Sequence, residues 1–398
     1  MYQPHAHRLL YRHVYLASPG AAAKLAAITR EPQGADVVAR ISTYTRSISL
    51  GFRFSTITDP EYKLAVTNII HILSIPVGLQ SFICKAPQLS LLPQAVIEAL
   101  FRQHGKSLQA LHGFATGFSA GIGILPFFCG LEKIEQLTTG PTWLPRSAPP
   151  SDTLIEDLLR ESEGKLFFRL SSLYTPMVSN HNVLFDILVG SELPNLQHLR
   201  VSTWDRASLH AFLSVHGHKL EHLELKYSWT EETLANKHDR TNEGERFLPV
   251  LLRLVSLCPR LEQLTLHDCH SFGIISRATS WNHPNIKVIR MGISALEGSW
   301  TFPEHQANPQ SWCLRSQLTV AACTRVLTQT KRKTILPALE RFVVWPPKRD
   351  MVPDEEDVEG EDVDSTLHQM TGWQIIDHWN EILRVQHVRV DVERPAPA

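Results

Sequence analysis

Residues 113–121 read Gly-Phe-Ala-Thr-Gly-Phe-Ser-Ala-Gly, and Gly117, Ser119 and Gly121 match the G-x-S-x-G pattern of a hydrolase nucleophile elbow. In that chemistry a serine on a strand-to-helix turn gives its proton to a histidine. A carboxylate orients the histidine, and backbone amides hold the oxyanion. The surroundings do not fit. The residues before Ser119 are not a strong apolar strand, and Pro126 would break the helix that must follow. The sequence predicts a connector at Ser119, no catalytic residue and no enzyme, with a serine hydrolase using Ser119 as the alternative.

Histidine is the other plentiful reactive side chain, with 20 copies. His216, His218 and His222 form one cluster, and His267, Asp268, Cys269 and His270 form another. A metal site needs such groups to converge on one point, and neither cluster has the spacing of a known finger. No metal or other cofactor is expected. The six cysteines are scattered without a C-x-x-C pair, which predicts buried thiols in a reducing, cytoplasmic or nuclear setting. No P-loop, G-x-G-x-x-G or H-E-x-x-H occurs.

Charge excludes further classes. The net charge is −1, and Lys331-Arg332-Lys333 reads as a solvated helix end, so no nucleic acid is expected. The apolar stretch Ile122–Leu131 is too short to span a bilayer, so no membrane is expected either. Nine of the fifteen residues from Asp350 to Asp364 are acidic, which predicts a disordered excursion.

The elements that must position any functional residue follow from an internal repeat. "LPNLQHLRVS" (193–202), "HKLEHLELKY" (218–227), "CPRLEQLTLHDC" (258–269), "HPNIKVIRMG" (283–292) and "LPALERFVVW" (336–345) all carry L-x-x-L-x-L with apolar exchanges. A further copy is read at Val385/Val388/Val390, and weaker ones at Leu79/Phe82/Cys84, Leu108/Leu111/Gly113 and Leu131/Ile134, with a first strand in "YTRSISLGF" (44–52). Spacings of 23, 24 and 25 residues fall in the leucine-rich-repeat range. The 53-residue gap from Ile286 to Leu339 leaves room for a degenerate repeat or an insertion. Helical patterns such as "PQAVIEALFRQHG" and "ASLHAFLSVHG" lie between the strands. The expected fold is an α/β, leucine-rich-repeat-like solenoid, with parallel strands on the concave side and helices on the convex side. In that frame Cys269 is a buried turn residue of its repeat.

These repeats, with the opening "HRLLYRHVYLASP" (7–19), resemble the leucine-rich-repeat region of fungal F-box-type proteins. The F-box itself is not recognisable. The resemblance implies residues 1–40 as the lead-in after an F-box, repeats over 41–346, an acidic excursion over 347–370, and a last helix and strand over 371–398. It implies a substrate receptor of a cullin-based ubiquitin ligase, gripping a protein substrate on the concave face, with a Skp-type adaptor and cullin as partners if an F-box lies upstream. A repeat-only scaffold unrelated to ubiquitination remains open. Side chains alternate along a strand, so those between the apolar positions face outward. Among them Arg200, Glu224, Arg290, Arg341 and Trp345 are the expected partner-binding residues, because Arg and Trp dominate interface hot spots.

Overall fold

The computed structural model describes residues 3–54, 59–84, 92–114, 130–139, 157, 159–160, 166–178, 183–204, 206–225, 255–266, 283–292, 336–345 and 380–392. They belong to two units, 1–216 and 217–398. Ser119, the cluster at 267–270 and the acidic run from Asp350 to Asp364 lie outside the described residues.

Among the described residues of the first unit, seven α-helices are interspersed with seven strands. The helices are α1 (Gln3–Tyr11), α2 (Pro19–Arg30), α3 (Ala35–Tyr44), α4 (Asp59–Leu73), α5 (Gln94–His104), α6 (Val183–Gly190) and α7 (Arg206–His216). The strands are β1 (His13–Leu16), β2 (Ser47–Leu50), β3 (Ser81–Cys84), β4 (Ala110–Phe114), β5 (Gln136–Thr139), β6 (Ser172–Val178) and β7 (His198–Trp204). They pair side by side in sequence order, every pair parallel. Parallel neighbours cannot be joined by a hairpin and need a crossover, which α4 and α5 supply between β2, β3 and β4. The second unit holds β8 (His222–Leu225), β9 (Gln263–Leu266), β10 (Val288–Gly292), β11 (Arg341–Trp345) and β12 (Arg389–Val392), again parallel and in order.

The apolar repeat becomes a row of buried register partners within each unit. In the first unit Ile48, Phe82, Leu111, Leu137, Leu173 and Leu199 stand in register, all buried. In the second, Leu223, Leu264, Ile289 and Phe342 do the same. At the N-terminal ends of nine of the twelve described strands one carbonyl accepts two N–H groups from the next repeat. That of Gln80 takes Gln109 at 2.7 Å and Ala110 at 3.0 Å, and that of Glu262 takes Lys287 at 2.8 Å and Val288 at 3.0 Å. The same double bond recurs at Arg12, Arg46, Gln109, Glu135 and Ser171.

Histidines fasten one repeat to the one before. The His104 Nε2–H, at the end of α5, donates to the Leu73 carbonyl that ends α4, at 2.7 Å. His216 Nε2 reaches the Leu188 carbonyl in α6 at 3.0 Å, and His283 Nε2 the Cys258 carbonyl at 3.0 Å. The last carbonyls of a helix have no partner within it, and those of Leu73 and Leu188 are satisfied in this way, whereas the Cys258 carbonyl also accepts the Leu261 N–H at 3.0 Å and His283 is its second donor. Glycine follows two of the three. A Cβ on Gly105 would lie 3.1 Å from the Gly130 carbonyl oxygen, and one on Gly217 would lie 2.5 Å from that of Leu257. The pair His-Gly thus binds the previous repeat and admits the next. Asn195 and Asn285 add a second fastening, donating to the carbonyls of Phe168 and Pro259 at 3.0 and 2.7 Å.

The structure corrects the repeat register in four places, and the first is that the sheet begins at β1 (His13–Leu16), so the segment 44–52 holds the second strand and not the first. β6 is a repeat strand that the apolar pattern does not show, and the copy read at Leu131/Ile134 is Ile134/Leu137/Thr139. In both, the third apolar position holds a threonine (Thr175 and Thr139) that is nonetheless buried. Threonine shares valine's branched shape and strand preference, so the position keeps its fit while the hydropathy signal disappears. At the C-terminus, Phe342 pairs with Val390 and Val344 with Val392, and Val385 is 62 % exposed. The motif therefore sits two residues later than its valines suggest. The 53-residue gap is an insertion as far as the sheet is concerned, since β10 pairs directly with β11.

Two outcomes test this construction. Leu264 is fully buried on β9 between β8 and β10. Leu264→Ala should cost about 2–5 kcal/mol through lost burial and a cavity, with hydrogen-exchange protection falling first in β8, β9 and β10. The second outcome concerns pH. Burial pushes His104 and His283 below the ordinary histidine value of 6.5, only partly offset by their carbonyl bonds. The Nδ1 of each ring is buried without a hydrogen-bond partner among the described residues, so a second proton would find no acceptor. With the folded-state pKa below the unfolded one, the unfolded chain binds more protons beneath pH 6.5. Stability should be full above pH 6.5 and decline as pH falls below it. In His104→Gln with His283→Gln, whose amides donate but do not titrate, the fall in melting temperature between pH 7 and 5 should shrink. An unchanged fall would refute the assignment.

Candidate functional site

The open face of each sheet carries the side chains between the buried rows. In the first unit Arg200 is exposed on β7, and its guanidinium carbon stands 4.5 Å from the ring centroid of Tyr174. The two residues are register partners on β7 and β6. An arginine over the face of a tyrosine is held there by the ring quadrupole. Nearby on the same face, the Nδ1 of His112 and the Oγ1 of Thr138 are 3.0 Å apart, and burial lowers the pKa of this histidine. Tyr174 had no place in the sequence expectation because β6 did not register as a repeat. A polar-aromatic alternation in "SSLYTPMV" (171–178) was its available signal.

The other expected residues lie in the second unit. Glu224 pairs with Thr265 and Thr265 with Arg290, so the acid and the base share one row two strands apart. At a strand spacing of about 4.8 Å their backbones are roughly 10 Å apart. Arg341 occupies the adjacent row, opposite Val288, and Trp345 lies at the end of β11, opposite Gly292. Arg341 hydrogen-bonds through Nε to the Asp391 carboxylate, which also accepts from Arg389 Nε at 2.8 Å. Partial desolvation raises the Asp391 carboxyl. The two guanidinium bonds outweigh it and hold the pKa below the usual carboxylate value. Two arginines on one carboxylate leave β11 and β12 with a net positive charge. Not every alternating position is open: Val343, expected to face outward, is fully buried between Phe342 and Val344.

The first histidine cluster occupies three different elements. His216 caps α6, His218 is exposed in the short 3-10 turn Gly217–Lys219, and His222 begins β8. Among the described residues no group of three or more His, Cys, Asp or Glu could hold a metal ion. Cys258 is buried beside Gly217, and its thiol is pushed up to about 12 by desolvation, which keeps it protonated and unreactive. No described helix is long and apolar enough to cross a membrane.

Comparison with known proteins gives no family. No family model matches the chain. No curated protein matches it. Among solved structures it is similar to a Bacteroides fragilis protein determined by the Northeast Structural Genomics Consortium, at 11% identity and a TM-score of 0.23, over 62% of this chain and 60% of that one. At that score the likeness carries no argument. What is established is an α/β chain whose strands repeat in parallel and in sequence order within each unit.

Proposed function

We propose that the chain is a non-enzymatic protein-interaction scaffold of the leucine-rich-repeat type, and that its open sheet face takes a protein partner. The observation that carries this reading is Arg200 stacked on Tyr174. Both sit on paired strands of a rigid sheet, so little side-chain entropy remains to be lost on binding. Arginine and tyrosine are also the residue types that contribute most at interface centres. In its finer form the scaffold is the substrate-recognition part of an F-box-type ubiquitin ligase receptor, with Glu224, Arg290, Arg341 and Trp345 as the second unit's contribution. The sequence resemblance supports that form, together with a Skp-type adaptor and a cullin as partners.

Affinity purification of the tagged full-length gene product is expected to recover a substrate protein together with a Skp-type adaptor and a cullin. Substrate alone would leave a repeat scaffold unconnected with ubiquitination. Arg200→Glu should weaken substrate capture at least tenfold, about 1.4 kcal/mol, without moving the melting temperature, since the side chain is exposed. Undiminished capture would remove this face from the proposal. A fluorophosphonate probe should leave the protein unlabelled. Labelling that vanishes in Ser119→Ala would establish the hydrolase instead.

A further inference from the structure

The doubly bonded carbonyls at the N-terminal ends of the strands have a second consequence in the first unit. The residues that own them (Arg12, Arg46, Gln80, Gln109 and Glu135) line an open groove of ≈ 400 Å³ that crosses β1 to β5, with the exposed Leu9 at its β1 end. Their backbones are pinned by two bonds each. Their side chains therefore project at fixed intervals of one strand spacing. The order of chemistry along the groove is apolar, basic, basic, amide, amide, acidic.

We infer that this groove binds an extended peptide segment of a partner protein, lying across the strands with an acidic residue over Arg12 and Arg46 and a basic residue over Glu135. The inference rests on the scaffold reading and names the partner's chemistry. Gln80 and Gln109 form the middle of the groove, and their side-chain amides make no hydrogen bond to described residues. A carboxamide offers both donors and an acceptor, which matches the alternating N–H and C=O of a peptide main chain. The opposed charges at the two ends select against a polyanion such as nucleic acid, which Glu135 would repel. From β2 to β5 is three strand spacings, about 14 Å, and an extended chain covers this in four to five residues. The acid and base of the bound segment are therefore four to five positions apart. An apolar residue beyond the acid meets Leu9.

The test uses the full chain and fluorescence anisotropy with a capped, fluorescein-tagged heptapeptide of the order leucine, glutamate, serine, threonine, serine, threonine, lysine. Its control has the same composition with glutamate and lysine adjacent. The first should bind at least tenfold more tightly than the control. Glu135→Lys, an exposed position, should abolish that preference and bind the analogue ending in glutamate better than the wild-type chain does. Arg12→Glu should weaken the first peptide at least tenfold, with melting temperatures confirming that both variants fold. No binding of the first peptide, equal binding of the control, or an unchanged affinity in Glu135→Lys would each overturn the groove assignment. None of these would touch the scaffold reading, which is decided by substrate capture through Arg200.

Discussion

A parallel strand in this chain is held at its N-terminal end by a single carbonyl that serves two N–H donors of the next repeat. Among the described residues this occurs six times in succession in the first unit and three times in the second, from Arg12 to Ser171 and from Glu221 to Lys287. A strand of only four residues, as most of these are, has few ladder bonds of its own. The forked bond therefore fixes where each strand enters the sheet. With entry fixed, the alternation of side chains decides which residues face the helices and which stay open. The rows of Ile, Leu and Phe, the stacking of Arg200 on Tyr174 and the Gln80–Gln109 groove all follow from that one point of attachment.

The histidine fastenings do for the helices what the forked carbonyls do for the strands. At the ends of α4 and α6 the next repeat supplies a buried imidazole to a helix carbonyl, and His283 does the same for the Cys258 carbonyl as a second donor beside the Leu261 N–H. Between α2 and α4 a lateral version appears, with Thr29 Oγ1 and His71 Nε2 3.0 Å apart and Arg30 donating to Asn68 at 3.0 Å. A neutral histidine is suited to the role because one ring nitrogen donates while the apolar ring fills the gap between helices. The cost is sensitivity to acid, which buried lysine or arginine would avoid only by bringing a permanent charge into the same space.

Glycine marks the places where one repeat's backbone comes too close to the next for any side chain. Gly113 is the clearest case. Its φ is +71°, and a Cβ there would lie 2.1 Å from the Cys84 carbonyl oxygen. It occupies the third apolar position of β4, at the point where the register to β5 shifts. The glycine that weakens the repeat pattern in the sequence is the residue that lets this strand stay in the sheet.

The sequence by itself determined the repeat and its consequences. A leucine pattern near 24 residues, with helical segments between, requires parallel strands joined by crossovers, because neither element can bury its apolar side alone. It also determined the alternation along β7, β8 and β10, but not along β11, where Val343 is buried. Tertiary structure decided what hydropathy does not encode. Thr139 and Thr175 fill valine positions, so two strands were misplaced or missed, and a threonine's burial depends on neighbours rather than on its own polarity. Val385 is exposed and Val343 is buried for the same reason. His104, His216 and His283 each meet a carbonyl 25 to 31 residues earlier, a pairing that no local pattern in the chain shows. The pairing of Arg200 with Tyr174, and of Arg341 and Arg389 with Asp391, depends on strand register. Register is a property of two repeats together, and no single repeat carries it.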